Sequence, residues 1–123
     1  MAKRTSERTL GFLRKEGFLC QSVEKFNPFV GERGIRQDLF GFIDIIAIKE
    51  KMVVGVQACG ADYQSHIRKI TRDCGDKPLQ WLESGAELWL IGWRKIKEGK
   101  RQIYRPRIKV FSFADFITED FLE

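Results

Sequence analysis

The most informative residue in the chain is Asp44, a carboxylate within the apolar run Phe42-Ile43-Asp44-Ile45-Ile46. An ionised carboxylate in an apolar strand is unfavourable to bury without a partner, so its presence needs an explanation. In a structural explanation, Asp44 faces the rim of a sheet and accepts hydrogen bonds from Arg36 or a backbone amide. In a functional explanation, a divalent cation compensates the carboxylate charge.

Gln57 is the second candidate, because a hairpin would place it opposite Asp44. Two apolar, β-branched strands, residues 43–48 and 52–57, flank a short turn. If the turn is centred on Glu50-Lys51, Asp44 and Gln57 share one face, with Cβ atoms about 4.5–5.5 Å apart. A carboxylate and an amide carbonyl are oxygen ligands, which favour Mg²⁺ or Mn²⁺ over zinc.

The elements around this hairpin predict an α/β fold, a mixed sheet flanked by helices. The predicted elements are a helix over 5–16, strands over 18–26, 43–48 and 52–57, helices over 62–70 and 78–83, strands over 87–93 and 102–111, and a helix over 113–121. The 123 residues fit one domain, 1–123, with no room for a second. We expect Thr5 or Ser6 to cap the first helix and Asp62 to cap the second.

The charge distribution points to a polyanionic partner. The net charge is +5, and the last 13 residues hold four acids and no Lys or Arg, so residues 1–110 carry all 22 basic residues. Such a basic body suits nucleic acid, although a merely soluble basic protein is the alternative. The candidate nucleic-acid contacts are Arg33 and Arg36 in a long loop, Arg68 on a helix, and Arg94 and Lys95 at a strand end.

Other functional classes find little support in the composition. No stretch approaches the roughly 20 apolar residues of a membrane span, and the charged start is unlike a signal peptide. Cys20, Cys59 and Cys74 form no CxxC pair, which favours reduced thiols and a cytoplasmic protein. His66 is the single histidine, and no nucleophile is arranged beside it for Ser-His-Asp chemistry.

Two segments resemble a known enzyme family. They are Arg36-Gln37-Asp38-Leu39-Phe40-Gly41-Phe42-Ile43-Asp44-Ile45-Ile46-Ala47-Ile48 and Val54-Gly55-Val56-Gln57-Ala58-Cys59. Together they resemble the PD-(D/E)xK nuclease superfamily, in particular small archaeal-type Holliday junction resolvases and uncharacterised phage-type proteins with Asp-Leu-Phe-Gly-x-x-Asp. This resemblance extends from the helix bearing Glu7 to about Trp93. It implies a restriction-endonuclease-like αβββαβ core, a Mg²⁺- or Mn²⁺-dependent deoxyribonuclease acting on branched or junction DNA, a homodimer, and a source compatible with a phage.

The resemblance also assigns roles to residues of the hairpin and the following helix. Asp44 matches the metal-binding aspartate, and Gln57 stands at the second acidic ligand, where its carbonyl can still bind metal. Cys59 stands where the family usually has lysine. Lys69 or Arg68 on the following helix would then supply the missing cation, and we expect Lys69 to take the catalytic role.

Further carboxylates are expected near this pair. Glu7 on the first helix resembles an additional metal ligand of some family members, and Glu24 is a weaker candidate. Asp38 would support the ligands or pair with Arg36. The rival functions are a nucleic-acid-binding module of the same fold without catalysis, and an adaptor that binds protein through Phe and Trp side chains.

Overall fold

A computed structural model describes residues 2–116, with side chains from residue 4 onwards. The elements are α1 (Ala2–Lys15), β1 (Leu19–Ser22), β2 (Lys25–Asn27), β3 (Ile35–Gln37), β4 (Ile45–Lys49), β5 (Met52–Cys59), α2 (Tyr63–Arg68), a π-helix (Lys69–Asp73), α3 (Lys77–Glu83), β6 (Glu87–Glu98), β7 (Arg101–Val110) and a 3₁₀-helix (Phe113–Phe116). No helix in this range is long and apolar enough to cross a bilayer.

The main sheet has five strands in the order β1-β4-β5-β6-β7. All neighbours are antiparallel except β5 and β6, which run parallel. A parallel pair requires a crossover connection, and α2, the π-helix and α3 provide it. The predicted α/β class with a mixed sheet is therefore confirmed.

Alternating side chains on the strands build an apolar layer on each face of the sheet. On one face, Leu13 of α1 packs with Val54 and Val56 of β5. On the other face, Cys59 and Leu88 pack with Ile70 of the crossover helices. Because side chains alternate along β5, Gln57 shares the second face with Cys59.

Gly55 allows the crossover helices to approach the sheet. A Cβ at this position would lie 2.8 Å from Cδ1 of Ile43 and 2.9 Å from Cζ2 of Trp81, closer than side-chain atoms can pack. The absent side chain thus lets Trp81 of α3 lie directly on β5. This contact fixes the crossover helices over the face that carries Gln57.

The region before the hairpin differs from the prediction. A single strand was expected over 18–26, but the chain forms β1 in the main sheet and then β2, which pairs with β3 in a separate two-stranded sheet. β3 was expected to belong to the long loop of Arg33 and Arg36, because Asn27-Pro28 and Gly31-Glu32-Arg33-Gly34 break regular structure. In the structure its three residues, like most of β2, are exposed.

The helix ends are partly as predicted. α1 begins at Ala2, so Thr5 and Ser6 lie inside the helix and do not cap it. Asp62 precedes α2, but its side chain makes no capping hydrogen bond. α3 spans Lys77–Glu83, close to the predicted range 78–83, and Pro78 lies in its first turn. Of the predicted terminal helix over 113–121, the part beyond Phe116 lies outside the described residues.

Candidate metal and nucleic-acid site

The β4–β5 hairpin has the predicted register and joins Asp44 to Gln57. Ile45 pairs with Val56, and the backbone N–H of Asp44, one residue before β4, donates to the Val56 carbonyl at 2.8 Å. The side-chain Oδ2 of Asp44 accepts hydrogen bonds from Gln57 Nε2 at 2.6 Å and from the Ala58 amide at 2.8 Å. The register prediction is confirmed, and Asp44 is only 6% exposed.

Two more carboxylates converge on Asp44. Glu24 follows β1, Asp38 follows β3, and carboxylate oxygens of the three residues lie within 4.8 Å of one another. Three carboxylates at this separation repel one another unless protons or cations compensate their charges. Oxygen-only ligands of this kind suit Mg²⁺ or Mn²⁺. We call Glu24, Asp38 and Asp44 the carboxylate cluster.

Lys69 supplies a cation to the cluster. It is the first residue of the π-helix, and its Nζ donates to Asp38 Oδ2 at 3.0 Å and to Gln57 Oε1 at 3.2 Å. The sequence left Arg68 and Lys69 as alternatives for this position. Arg68 is exposed and does not line the cavity, whereas Lys69 does.

The orientation of the Gln57 amide differs from the predicted one. An ammonium group only donates, so the carbonyl oxygen of Gln57 faces Lys69 and the amide nitrogen faces the carboxylates. Nε2 donates to Asp44 at 2.6 Å and to Asp38 at 3.3 Å. In this arrangement Gln57 is a hydrogen-bond donor to the carboxylates rather than a metal ligand. A cation at the cluster would be held by Glu24, Asp38 and Asp44, or would require the amide to turn over.

Buried Asp44 and half-buried Asp38 differ in protonation. Burial, followed by the hydrogen bond and negative charge of Asp38, raises the pKa of Asp44 to about 8. Burial also acts to raise the pKa of Asp38, but hydrogen bonds from Asp44, Lys69 and Gln57 together with the Lys69 charge hold it below its usual value. At neutral pH, Asp44 therefore keeps a proton that it shares with ionised Asp38.

The carboxylate cluster opens into a cavity of about 390 Å³ that also contains Thr5 and Ser6 of α1. Glu7, predicted as a metal ligand, lies on the exposed side of α1 and does not line this cavity. The structure therefore replaces Glu7 with Glu24 as the third carboxylate. The reason is the rotation of α1, which turns Thr5 and Ser6 toward the cavity.

A second group of polar side chains lines the same cavity. Ligand atoms of Cys59, Asp62 and His66 lie within 4.8 Å of one another, and His66 Nε2 is 3.0 Å from Asp62 Oδ2. Burial and the nearby charges of Asp62 and Asp44 raise the pKa of Cys59 to about 12. The Cys59 side chain is therefore a neutral thiol, which makes it a poor nucleophile and no substitute for a lysine.

Comparisons of this chain with protein-family models, with curated proteins and with solved structures find no match. The side chains of the site are therefore the only indication of its chemistry within residues 4–116. Those side chains are the three carboxylates of the cluster with an amide and a lysine, together with a thiol, a further carboxylate and an imidazole.

The predicted nucleic-acid contacts are dispersed around the site. Arg36 is exposed and pairs with Glu24 of the cluster, with its guanidinium nitrogen 2.9 Å from Glu24 Oε1. Arg33, Arg94 and Lys95 are exposed and do not line the carboxylate cavity. Arg36 thus adjoins the site directly, whereas the other three lie outside it.

Sequence patterns indicate only weakly that several other residues line the cavity. Thr5, Ser6 and Asp62 were considered only as helix caps, because a helix start normally explains such residues. Glu24 was a weak candidate, since its position depends on the chain leaving the main sheet after β1. The one available signal was their chemistry, since hydroxyl and carboxylate oxygens are ligands for hard cations.

Proposed function

We propose that this chain is a divalent-metal-dependent nuclease that hydrolyses phosphodiester bonds in DNA, with branched or junction DNA as its substrate class. The observation that carries the proposal is the carboxylate cluster in contact with Lys69 inside an open cavity. Carboxylates at this spacing suit a hard cation. A lysine beside them can offset negative charge on a phosphate.

The order of the elements supports a restriction-endonuclease-like core. α1, β1, β4, β5, α2 and β6 follow one another as the αβββαβ order requires, with β2 and β3 inserted after β1. Asp44 precedes β4, and Gln57 lies near the end of β5. These are the positions at which the resemblance expects the metal-binding aspartate and the second ligand.

A basic groove next to the cavity supports a nucleic-acid substrate. A depression of about 500 Å³ is lined by Arg36, Lys69 and Lys77, and it shares Asp38 and Lys69 with the carboxylate cavity. A strand lying in this groove would bring its phosphates past the carboxylates. Such contacts position the backbone without reading the base sequence.

The carboxylate cluster and Lys69 would have separate roles in hydrolysis. Glu24, Asp38 and Asp44 would hold Mg²⁺ or Mn²⁺, which, when bound, polarises a phosphate and lowers the pKa of a bound water. Cation binding requires Asp44 to release its proton. Lys69 would then donate to a phosphate oxygen while a water oxygen bonds to phosphorus and the bond to the leaving oxygen breaks. The attacking water gives up one proton to solvent, and the leaving oxygen takes up one proton from solvent.

One observation favours a second function, a binding module of the same fold without catalysis. The Gln57 amide, Lys69 and the proton on Asp44 already compensate the aspartates without any metal. A site neutralised in this way binds a cation only by giving up these contacts. Its metal affinity would then be lower than that of a cluster with a glutamate in place of Gln57.

Cleavage assays separate these functions. Labelled linear, single-stranded and four-way-junction DNA would be incubated with Mg²⁺, Mn²⁺ or EDTA, using wild type, Asp44→Asn and Asp38→Asn. A matched control is Glu83→Gln, an exposed carboxylate on α3. We expect metal-dependent cutting by wild type and by Glu83→Gln, and its loss in both aspartate variants.

Other results of these assays would favour the second function or refute the first. DNA binding without cutting by wild type, with cutting gained in Gln57→Glu, would favour the binding module. Cutting that persists in EDTA or in Asp44→Asn would refute the proposed nuclease site.

A further inference from the structure

A second cavity adjoins the carboxylate cavity on the α1 side of the sheet. It has a volume of about 230 Å³ and is lined by Arg4 and Arg8 of α1, Trp93 of β6 and Tyr104 of β7. Thr5 and Gly60 line both cavities, so one opens beside the other. We call this second cavity the arginine–aromatic cavity.

Aromatic rings, rather than carboxylates, hold the Arg8 guanidinium in this cavity. Its Cζ atom lies 3.7 Å from the centre of the Tyr104 ring and 5.8 Å from that of Trp93. Trp93 is itself fixed, because its Nε1 donates to the buried hydroxyl of Thr9 at 2.9 Å. A guanidinium stacked on an aromatic face keeps its N–H donors, which lie in the guanidinium plane, for an anion.

The two arginines of this cavity have no acidic partner among the described side chains. Within residues 4–116, no ion pair involves Arg4 or Arg8, whereas Arg36 pairs with Glu24 and Arg105 with Glu98. Two guanidinium groups without such a partner, facing one cavity, raise its positive potential. Such a cavity attracts an anion with several acceptor oxygens, and a phosphodiester fits because arginine binds phosphate in a bidentate manner.

We propose that the arginine–aromatic cavity binds a phosphodiester group of the DNA strand, one that flanks the phosphate at the carboxylate cluster. This inference rests on the proposed function, because the shared wall of Thr5 and Gly60 places the two sites on one strand path. Arg4 and Arg8 bind the flanking phosphate, and Tyr104 and Trp93 hold Arg8 in position. The strand then runs from this cavity, past the carboxylates, into the groove of Lys69 and Lys77.

The test measures DNA binding in EDTA, where metal-dependent cleavage cannot contribute. Fluorescence anisotropy of a labelled single strand and of a four-way junction would be recorded over a salt series. We expect Arg4→Gln and Arg8→Gln each to weaken binding roughly tenfold, the loss of about one charge-assisted hydrogen bond. Each should also lower the slope of log affinity against log salt by about one.

Arg101→Gln is the matched control, because Arg101 is an exposed arginine on β7 that does not line the cavity. Tyr104→Phe keeps the ring beneath Arg8 and should bind DNA like wild type. Arg4 is exposed, so its substitution does not endanger folding, and thermal unfolding of every variant checks this. Equal losses in Arg4→Gln, Arg8→Gln and Arg101→Gln would overturn the proposal, as would a wild type that binds no DNA.

The outcome separates this inference from the proposed nuclease activity. If Arg4→Gln and Arg8→Gln bind more weakly than Arg101→Gln but wild type never cuts with metal, the cavity binds a strand and the nuclease proposal fails. If wild type cuts with metal and all three variants bind alike, the nuclease proposal stands and this cavity has no part in strand binding.

Discussion

The proton held by Asp44 makes the stability of this protein depend on pH in an unusual direction. Its pKa is about 8 in the folded chain, against 3.8 for an ordinary aspartate. Between these values the folded state binds the proton more tightly than the unfolded state, so the free energy of unfolding falls as pH rises. The loss approaches 1.4 kcal/mol per pH unit for one such group, or about 2–3 kcal/mol between pH 5 and 7.

Replacing Asp44 with asparagine removes this titration while preserving the shape of the side chain. The asparagine carbonyl can still accept from the Ala58 amide and from Gln57. We expect the unfolding free energy of Asp44→Asn to be nearly flat between pH 5 and 7. The lowered pKa of Asp38 acts in the opposite direction, but only below about pH 4, outside this window.

Urea unfolding in EDTA, followed by tryptophan fluorescence at each pH, measures both curves. Glu83→Gln again serves as the control, since its exposed carboxylate should leave the wild-type slope unchanged. Parallel curves for wild type and Asp44→Asn would refute the assignment of the proton to Asp44. Added Mn²⁺ should raise wild-type stability most at the upper end of the range, because cation binding requires the carboxylate to lose its proton.

The remaining predictions concern the partners of Asp44 and the packing of the sheet. Lys69→Met should lower kcat by about a hundredfold at saturating Mg²⁺, because a donor to the phosphate is lost; an unchanged kcat would remove Lys69 from the mechanism. Gln57→Glu should tighten Mg²⁺ binding roughly tenfold by adding an anionic ligand, measured by calorimetry, and equal affinities would show that position 57 does not face the metal. Gly55→Ala should destabilise the fold by about 1–3 kcal/mol in urea, because its Cβ would lie 2.9 Å from Trp81. Gly11→Ala in α1, whose Cβ would have no neighbour within 4 Å, should instead stabilise the fold by about 0.5–1 kcal/mol. If Gly55→Ala and Gly11→Ala changed the free energy of unfolding in the same direction, the packing described would be contradicted.

The β4–β5 hairpin could be predicted from the sequence because its signals agree. Two β-branched strands flank one short turn, and a shift of one residue would move every apolar side chain to the wrong face. The register that joins Asp44 to Gln57 follows from this constraint. The crossover helices and β6 were also predictable, as helices over 62–70 and 78–83 and a strand over 87–93.

The third carboxylate was harder to predict, because tertiary geometry positions it. Glu24 reaches the cluster only because the chain leaves the main sheet after β1, and the exposed β2–β3 pair carries no apolar pattern. The resemblance led us to expect Lys69 at the site, but the sequence does not predict the π-helix from which it reaches Asp38. Glu7 was expected at the site, but the rotation of α1 turns it outward.

The most direct test of the proposed site asks whether the carboxylate cluster binds a divalent cation in exchange for the proton of Asp44. Calorimetric titration of Mn²⁺ at pH 7, in buffers of different ionisation enthalpy, measures both the binding and the protons released. We expect one bound Mn²⁺ with release of about one proton by wild type, and weak binding without proton release by Asp44→Asn. Absence of Mn²⁺ binding by wild type, or identical proton release by the two proteins, would contradict it.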